Sequence, residues 1–199
     1  MTQSARLNFP AFTRLVIDAL EAAHVEYMIG GSVGLLAWGE PRTTVDFDLA
    51  INLPIEQIYP LSQELIKRDM LVPFDVILDL LLMEQGDLPI NAVHLYTGFK
   101  AELFLLRAGD DFRATALLRR QLVNLGAPLG EVYVQTPEDL ILYKLRYYLL
   151  SSQTKHMRDI KSMLDTIGNK IEIAYLEQWI KHFNLFSAWY KAQTWTDAG

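Results

Sequence analysis

Residues 30–48 read GGSVGLLAWGEPRTTVDFD, and the decisive positions are Gly30, Gly31, Ser32, Gly39, Arg42, Thr43, Asp46 and Asp48. The run before it, Val25–Ile29, is short and β-type, so the chain reaches the glycine pair at the end of a strand. Adjacent glycines there permit left-handed dihedrals and close backbone approach. Ser32–Trp38 is small and apolar and suits a short buried helix, whose first N–H groups would face outward at the turn. Such a turn is an anion site suited to a triphosphate, with the Ser32 hydroxyl as a further donor. An ordinary strand-to-helix turn is the competing reading. The spacing matches neither of the two common glycine-rich phosphate loops, because no Gly-Lys-Ser/Thr and no G-x-G-x-x-G is present.

Asp46–Ile51 alternates and reads as the next strand. Residues two apart on a strand share a face, about 6.7 Å apart along the chain, which puts Asp46, Asp48 and Ala50 together. Phe47, Leu49 and Ile51 take the other face, towards the core. Two neighbouring carboxylates repel unless a cation lies between them. Mg²⁺ takes oxygen ligands and keeps open positions for phosphate, which fits this pair. The alternative is a strand end bearing two solvated acids.

Composition narrows the classes further. Of 199 residues, 51% are hydrophobic and 21% charged, enough for a real core and too apolar for disorder or a fibre. Cysteine count 0 excludes a disulfide scaffold, a thiolate metal site and a cysteine nucleophile. Lys+Arg 18 against Asp+Glu 24 gives a formal charge of -6, which argues against wholesale wrapping of nucleic acid and leaves a local basic face open. The first ten residues lack a leader's apolar core and cleavage site. The most apolar short stretch, Val76–Met83, is broken by Asp79 and is far below the roughly 20 residues that span a bilayer. A cytoplasmic protein without membrane attachment is expected.

Outside the central stretch, residues 10–24 carry apolar positions at helical spacing. Pro54 opens a helix to about Arg68, with Ile55, Ile58, Leu61, Leu65 and Ile66 inward, and 74–84 forms another apolar helix. Asn91–Tyr96 and Lys100–Arg107 pair around Thr97-Gly98, residues 110–120 are helical, and Gln121–Leu125 and Glu131–Gln135 are short strands. Thr136-Pro137-Glu138-Asp139 is a strong helix start, and helices follow over 137–150, 154–167, 172–183 and 185–195. The expected organisation is a mixed α/β unit over 1–130 and a strand-plus-helical unit over 131–199. His24, His94, His156 and His182 form no metal-binding pair, and the Trp and Tyr residues of 175–195 read as helix-packing core.

The combined pattern, with Gly30-Gly31-Ser32, Gly39, Arg42-Thr43 and Asp46-Phe47-Asp48 in one short unit, resembles the nucleotidyltransferase superfamily with the DNA polymerase beta-like fold. It is most similar to the small bacterial G-G-S…G…R-x-T-x-D-x-D group, which includes AbiEii-type toxins and minimal nucleotidyltransferases. Thr136–Leu145 resembles that group's PEDLI…K helix, and Arg158-Asp159-Ile160 the helix after it. The resemblance implies a mixed sheet with flanking helices and a C-terminal helical unit. It also implies two Mg²⁺ ions and transfer of a nucleoside monophosphate from an NTP to an acceptor hydroxyl. A non-catalytic nucleotide- or partner-binding module on the same fold is the alternative.

The resemblance calls for a third acid, and Glu102 is the candidate, on a face shared with Lys100, Phe104 and Leu106. Glutamate departs from the group's usual aspartate. A salt bridge from Glu102 to Lys100 or Arg107 is the competing reading, and Asp110 and Asp111 are lesser substitutes. Asp46, Asp48 and Glu102 are thus the expected catalytic and metal-binding set. Gly30, Gly31, Ser32, Arg42, Thr43 and Lys144 are the expected substrate-binding set. Arg42 offers a donor fork to phosphate or pairs with Glu40; Lys144 neutralises triphosphate charge or snorkels to solvent; Arg158 and Asp159 pair with each other or lean over the site. Residues 141–162 carry Lys144, Arg146, Lys155, Arg158 and Lys161 against Asp159 alone, a basic rim that would favour an RNA acceptor. A toxin-like or modification role, with an antitoxin-like protein partner, completes the expectation.

Overall fold

The structure, a computed structural model, describes residues 7–83 and 87–196. The expectations for residues 1–6, and the end of the expected 74–84 helix at residue 84, lie outside the described residues. Helix α1 (Phe9–Ala22) starts at Asn8, whose side chain accepts from the Ala11 N–H at 2.9 Å, with a proline in the first turn. Phe12, Val16, Ile17 and Leu20 recur at helical spacing and are buried. His24, at φ 53°, turns the chain into β1 (Glu26–Ile29). Then follow the single turn α2 (Gly31–Gly34), β2 (Asp46–Asn52), α3 (Ile58–Ile66), β3 (Met70–Leu71), α4 (Phe74–Leu82), β4 (Ile90–His94), β5 (Lys100–Leu105), α5 (Asp111–Arg119), β6 (Gln121–Asn124) and β7 (Glu131–Val134).

The strands form one seven-stranded mixed sheet in the order β3-β4-β5-β2-β1-β7-β6. β2 lies between β1, antiparallel, and β5, parallel. One sheet face is apolar: Ile29, Phe47, Leu49, Ile51, Leu103 and Val134 pack with α1, α3 and α4 into the main core. On the other face, Met28 and Ala50 meet Ala116 and Leu117 of α5 in a small separate cluster. The architecture is the mixed α/β sheet with flanking helices that the sequence predicts. β7, expected within the C-terminal unit, pairs with β1 and β6 inside this sheet. Ile55 and Ile66 are 65% and 47% exposed rather than inward. The reason is that α3 is preceded by a separate 3₁₀ turn at Ile55–Gln57, and its buried stripe runs through Ile58, Leu61, Ser62 and Leu65.

Four α-helices complete the described residues: α6 (Pro137–Ser151), α7 (Lys155–Ile167), α8 (Ile173–His182) and α9 (Phe186–Gln193). They enclose a second core of Leu140, Leu145, Met157, Ile160, Leu176 and Trp179, into which Phe112 of α5 and Leu35 after α2 also pack. Those two contacts fix the helices against the sheet. The acids of the 136–139 helix start serve more than the helix dipole. The Thr136 hydroxyl accepts from the Asp139 N–H at 3.2 Å and donates to Asp139 Oδ2 at 2.7 Å. Tyr175 donates to Asp139 Oδ1 at 2.6 Å, and Glu138 accepts from the Glu172 N–H at 2.8 Å, so this turn tethers α8. Thr136→Ala is expected to cost about 1–2 kcal/mol in urea unfolding; an unchanged midpoint would contradict the cap. Among the described residues, no helix is long and apolar enough to cross a membrane.

Candidate active site

Strand alternation and register assemble the acidic wall. Phe47, Leu49 and Ile51 are at most 1% exposed on the core face, which leaves Asp46 and Asp48 on the other. The parallel pairing of β2 with β5 sets Asp46 opposite Lys100 and Asp48 opposite Glu102. The glycine turn then folds onto Asp48. The Gly30 N–H donates to the Asp48 carbonyl at 2.9 Å, and Gly31 has φ +57°. A Cβ added to Gly31 would stand 2.0 Å from Asp48 Oδ2, so only glycine fits between the turn and the carboxylate. The following helix is a four-residue turn that gives way to 3₁₀ geometry at Leu35–Ala37. Its aligned dipole is therefore small, and an anion at this turn would depend on the backbone N–H groups and the Ser32 side chain more than on a macrodipole.

These elements open into one cavity of about 420 Å³. Gly30, Gly31, Ser32, Arg42, Asp46, Asp48, Glu102 and Lys144 all line it, whereas Thr43 is exposed and does not. Burial, the Glu102 charge and the Asp46 charge, in that order, push the Asp48 carboxyl up to about 6. Lys144 and Lys155 oppose this shift only in part. Glu102 is held by Lys100 at 2.5 Å, the competing reading of the sequence. That hydrogen bond, acting first, raises the Lys100 pKa.

The cations differ more from expectation. Arg42 does not pair with Glu40; its Nε donates to Asp159 Oδ1 at 3.0 Å and its Nη2 donates to Ser32 Oγ. Lys144 does not snorkel: it is 4% exposed and donates to Asp159 Oδ2 at 2.6 Å. Burial lowers its pKa, and Asp159 counters that. Asp159 therefore pairs with Arg42 and Lys144 rather than with Arg158, which is exposed. Gly39 is part of the same docking: a Cβ there would lie 2.8 Å from Ser162 Oγ, which accepts from the Glu40 N–H at 2.6 Å.

No protein-family model and no curated protein matches the chain. Solved structures do. The antibiotic-resistance factor ANT(2'')-Ia, in complex with adenylyl-2''-tobramycin, is similar over 88% of this chain and 97% of its own, at 16% identity and TM-score 0.58. Its solution structure gives 90% and 92%, 14% identity and TM-score 0.57. An antigenic nucleotidyltransferase-like protein from Paracoccidioides brasiliensis is similar over 88% and 90%, at 20% identity and TM-score 0.52. The fold is nucleotidyltransferase-like.

On this nucleotidyltransferase-like fold, the fit of a divalent cation is judged from the donors present. Among the described residues, no three His, Asp or Glu side chains are gathered closely enough to hold a metal ion. The donor chemistry nevertheless suits one: carboxylate oxygens on one cavity wall, with a repulsion that holds the Asp48 proton tightly. Asp46 and Asp48 would hold the ion, and Glu102 would join once released from Lys100.

Sequence reasoning missed much of the opposite wall. Beside the expected Lys144, Leu140, Tyr143, Tyr147 and Ser151 lie along one side of α6 and face the cavity, together with Arg113, Gln135 and His156. The spacing of the α6 positions was the available signal. Arg113 is 4% exposed and pairs with Asp87 at 2.7 Å. His156 stacks on Tyr147 with centroids 6.2 Å apart. Burial first, then Lys144 and Lys155, lower its pKa to about 4, so the ring is neutral near pH 7. Of the five cations expected to form a basic rim, Lys144 and Lys155 line the cavity. Arg146 instead lies over the Phe183 ring at 4.4 Å, and Lys161 pairs with Asp165.

Proposed function

We propose that this chain is a Mg²⁺-dependent nucleotidyltransferase that moves a nucleoside monophosphate from an NTP to an acceptor hydroxyl. The observation that carries the reading is the closure of the Gly31 turn on Asp48 in a cavity shared with Asp46 and Glu102. Backbone N–H groups of the turn and the Ser32 hydroxyl bind the triphosphate. The acceptor oxygen bonds to the α-phosphorus, the bond to the bridging oxygen breaks, and pyrophosphate leaves. The acceptor proton passes to a carboxylate, for which Glu102 is our assignment. Two Mg²⁺ ions, when bound, would lower the acceptor's pKa and neutralise charge on the triphosphate and leaving group. Positioning and charge stabilisation then do most of the work. The adenylylated tobramycin bound to the ANT(2'')-Ia neighbour is consistent with chemistry of this type on this fold. The test is Mg²⁺-dependent release of pyrophosphate from each of the four NTPs across acceptors; no release with any of them would refute the enzyme.

A second reading, a nucleotide-binding module without turnover, is favoured by the Lys100–Glu102 pair, which occupies the third carboxylate. Lys100→Met separates the two. If the pair merely restrains an active centre, this variant raises divalent-cation affinity several-fold and keeps or increases pyrophosphate release. If NTP still stabilises the protein and release stays absent in both forms, the binding module is the better description.

RNA enters the proposal as acceptor on the strength of Lys155 in the cavity wall and the exposed Arg158. Salt-sensitive RNA binding is expected, with a slope that flattens by roughly two ion equivalents in Lys155→Gln/Arg158→Gln. A protein that neither binds nor labels RNA at low salt takes a small hydroxylated acceptor or a protein side chain instead. The toxin-like or modification role, with an antitoxin-like partner, rests on the sequence resemblance alone.

A further inference from the structure

Four polar side chains from distant parts of the sequence are joined in series behind the glycine turn. Lys144 on α6 donates to Asp159 Oδ2 at 2.6 Å. Asp159 on α7 accepts from Arg42 Nε at 3.0 Å through Oδ1 and from Nη2 at 3.3 Å through Oδ2. The same Nη2 donates to Ser32 Oγ. Asp159 is 2% exposed, so its charge is out of water and depends on these partners. Arg42 is correspondingly engaged: its Nε and Nη2 span the carboxylate and the hydroxyl. Ser32 is 6% exposed and lines the cavity. Because its oxygen accepts from Arg42, its own proton is directed away from Arg42 and is available as a donor.

We infer that Asp159 is a positioning residue for triphosphate binding: it holds Arg42 against Ser32 Oγ and so aims the Ser32 hydroxyl proton at a phosphate oxygen. This rests on the nucleotidyltransferase reading and adds a residue 117 positions from Arg42 to its machinery. It also gives the helical unit a task at the glycine turn. The carboxylate balances one of its two cations, so the group as a whole presents a single positive charge beside Asp48.

The test is a double-mutant cycle on affinity for the four Mg²⁺–NTPs and for Mg²⁺–tripolyphosphate, measured by titration calorimetry. Melting temperatures of the unliganded variants report any structural loss separately. Ser32→Ala and Asp159→Asn are each expected to weaken the best ligand roughly tenfold, and the double variant by no more than the larger single loss. Should Asp159→Asn not fold, Arg42→Gln leaves the Lys144–Asp159 pair in place and must show the same non-additivity with Ser32→Ala. Losses that multiply to about a hundredfold, or Arg42→Gln binding as tightly as the parent, would overturn the positioning role while leaving the proposed function intact. A parent protein that binds none of the five probes would overturn both.

Discussion

Asp48→Asn is expected to abolish nucleotide transfer and, at pH 7.5, to raise the melting temperature of the unliganded protein. The two effects share one cause. Burial, then the charges of Glu102 and Asp46, lift the Asp48 carboxyl from 3.8 to about 6. A carboxyl whose pKa is raised by folding binds its proton more tightly in the native state. Its contribution is therefore intact below about pH 4, falls away as pH rises through 4 to 6, and stays as a fixed penalty above that. Allowing for partial exposure, the penalty at pH 7.5 is on the order of 2 kcal/mol. Asparagine has the same shape and no charge, so it recovers this term at pH 7.5 and nothing at pH 4. A gain of roughly 4–8 °C at the higher pH, shrinking to near zero at the lower, is the expected melting pattern. Because the asparagine also removes an anionic oxygen facing the cavity, pyrophosphate release should drop to background. Normal turnover by this variant would refute the role of Asp48, and an equal shift at both pH values would refute the charge argument.

Gly31→Val should be the most damaging change in the glycine turn. The residue has φ +57°, a region that strains a β-branched side chain by about 1–3 kcal/mol. The first side-chain carbon alone would meet Asp48 Oδ2 at 2.0 Å. The turn and the carboxylate cannot then both keep their places, so the phosphate and cation sides of the site are lost together. We expect affinity for Mg²⁺–NTP to fall by roughly a hundredfold or more, well beyond the roughly tenfold of Ser32→Ala, which removes a single hydrogen bond. Calorimetric titration giving Gly31→Val the parent's affinity would remove the phosphate role of the turn.

The placements that were legible share a property: they follow from short-range geometry. Period-two alternation over Asp46–Ile51 is enough to put Phe47, Leu49 and Ile51 in the core and the two aspartates opposite. A glycine pair after a β-run signals a left-handed turn, which Gly31 adopts. Thr136-Pro137 marks a helix start because capping chemistry is local. Over residues 55–66, by contrast, the expected inward positions of Ile55 and Ile66 failed because the sequence does not mark where 3₁₀ geometry yields to the α-helix.

The sequence by itself determined the strand-turn-strand unit, the shared face of Asp46 and Asp48 and the order of the helices, since each depends on neighbours within a few residues. Only the tertiary structure decided how the charges are spent. Arg42 and Lys144 could each have faced phosphate, solvent or a nearby acid. The packing of α6 and α7 over the sheet brings Asp159 to both, and takes Lys144 and Asp159 out of water. The same docking supplies Tyr143, Tyr147 and His156 as the far wall of the cavity. Sheet register likewise decides that Glu102 stands beside Asp48 while Lys100 holds its carboxylate. Charge pairing falls off with distance in space and rises as water is excluded, and neither quantity is written in the linear order of residues.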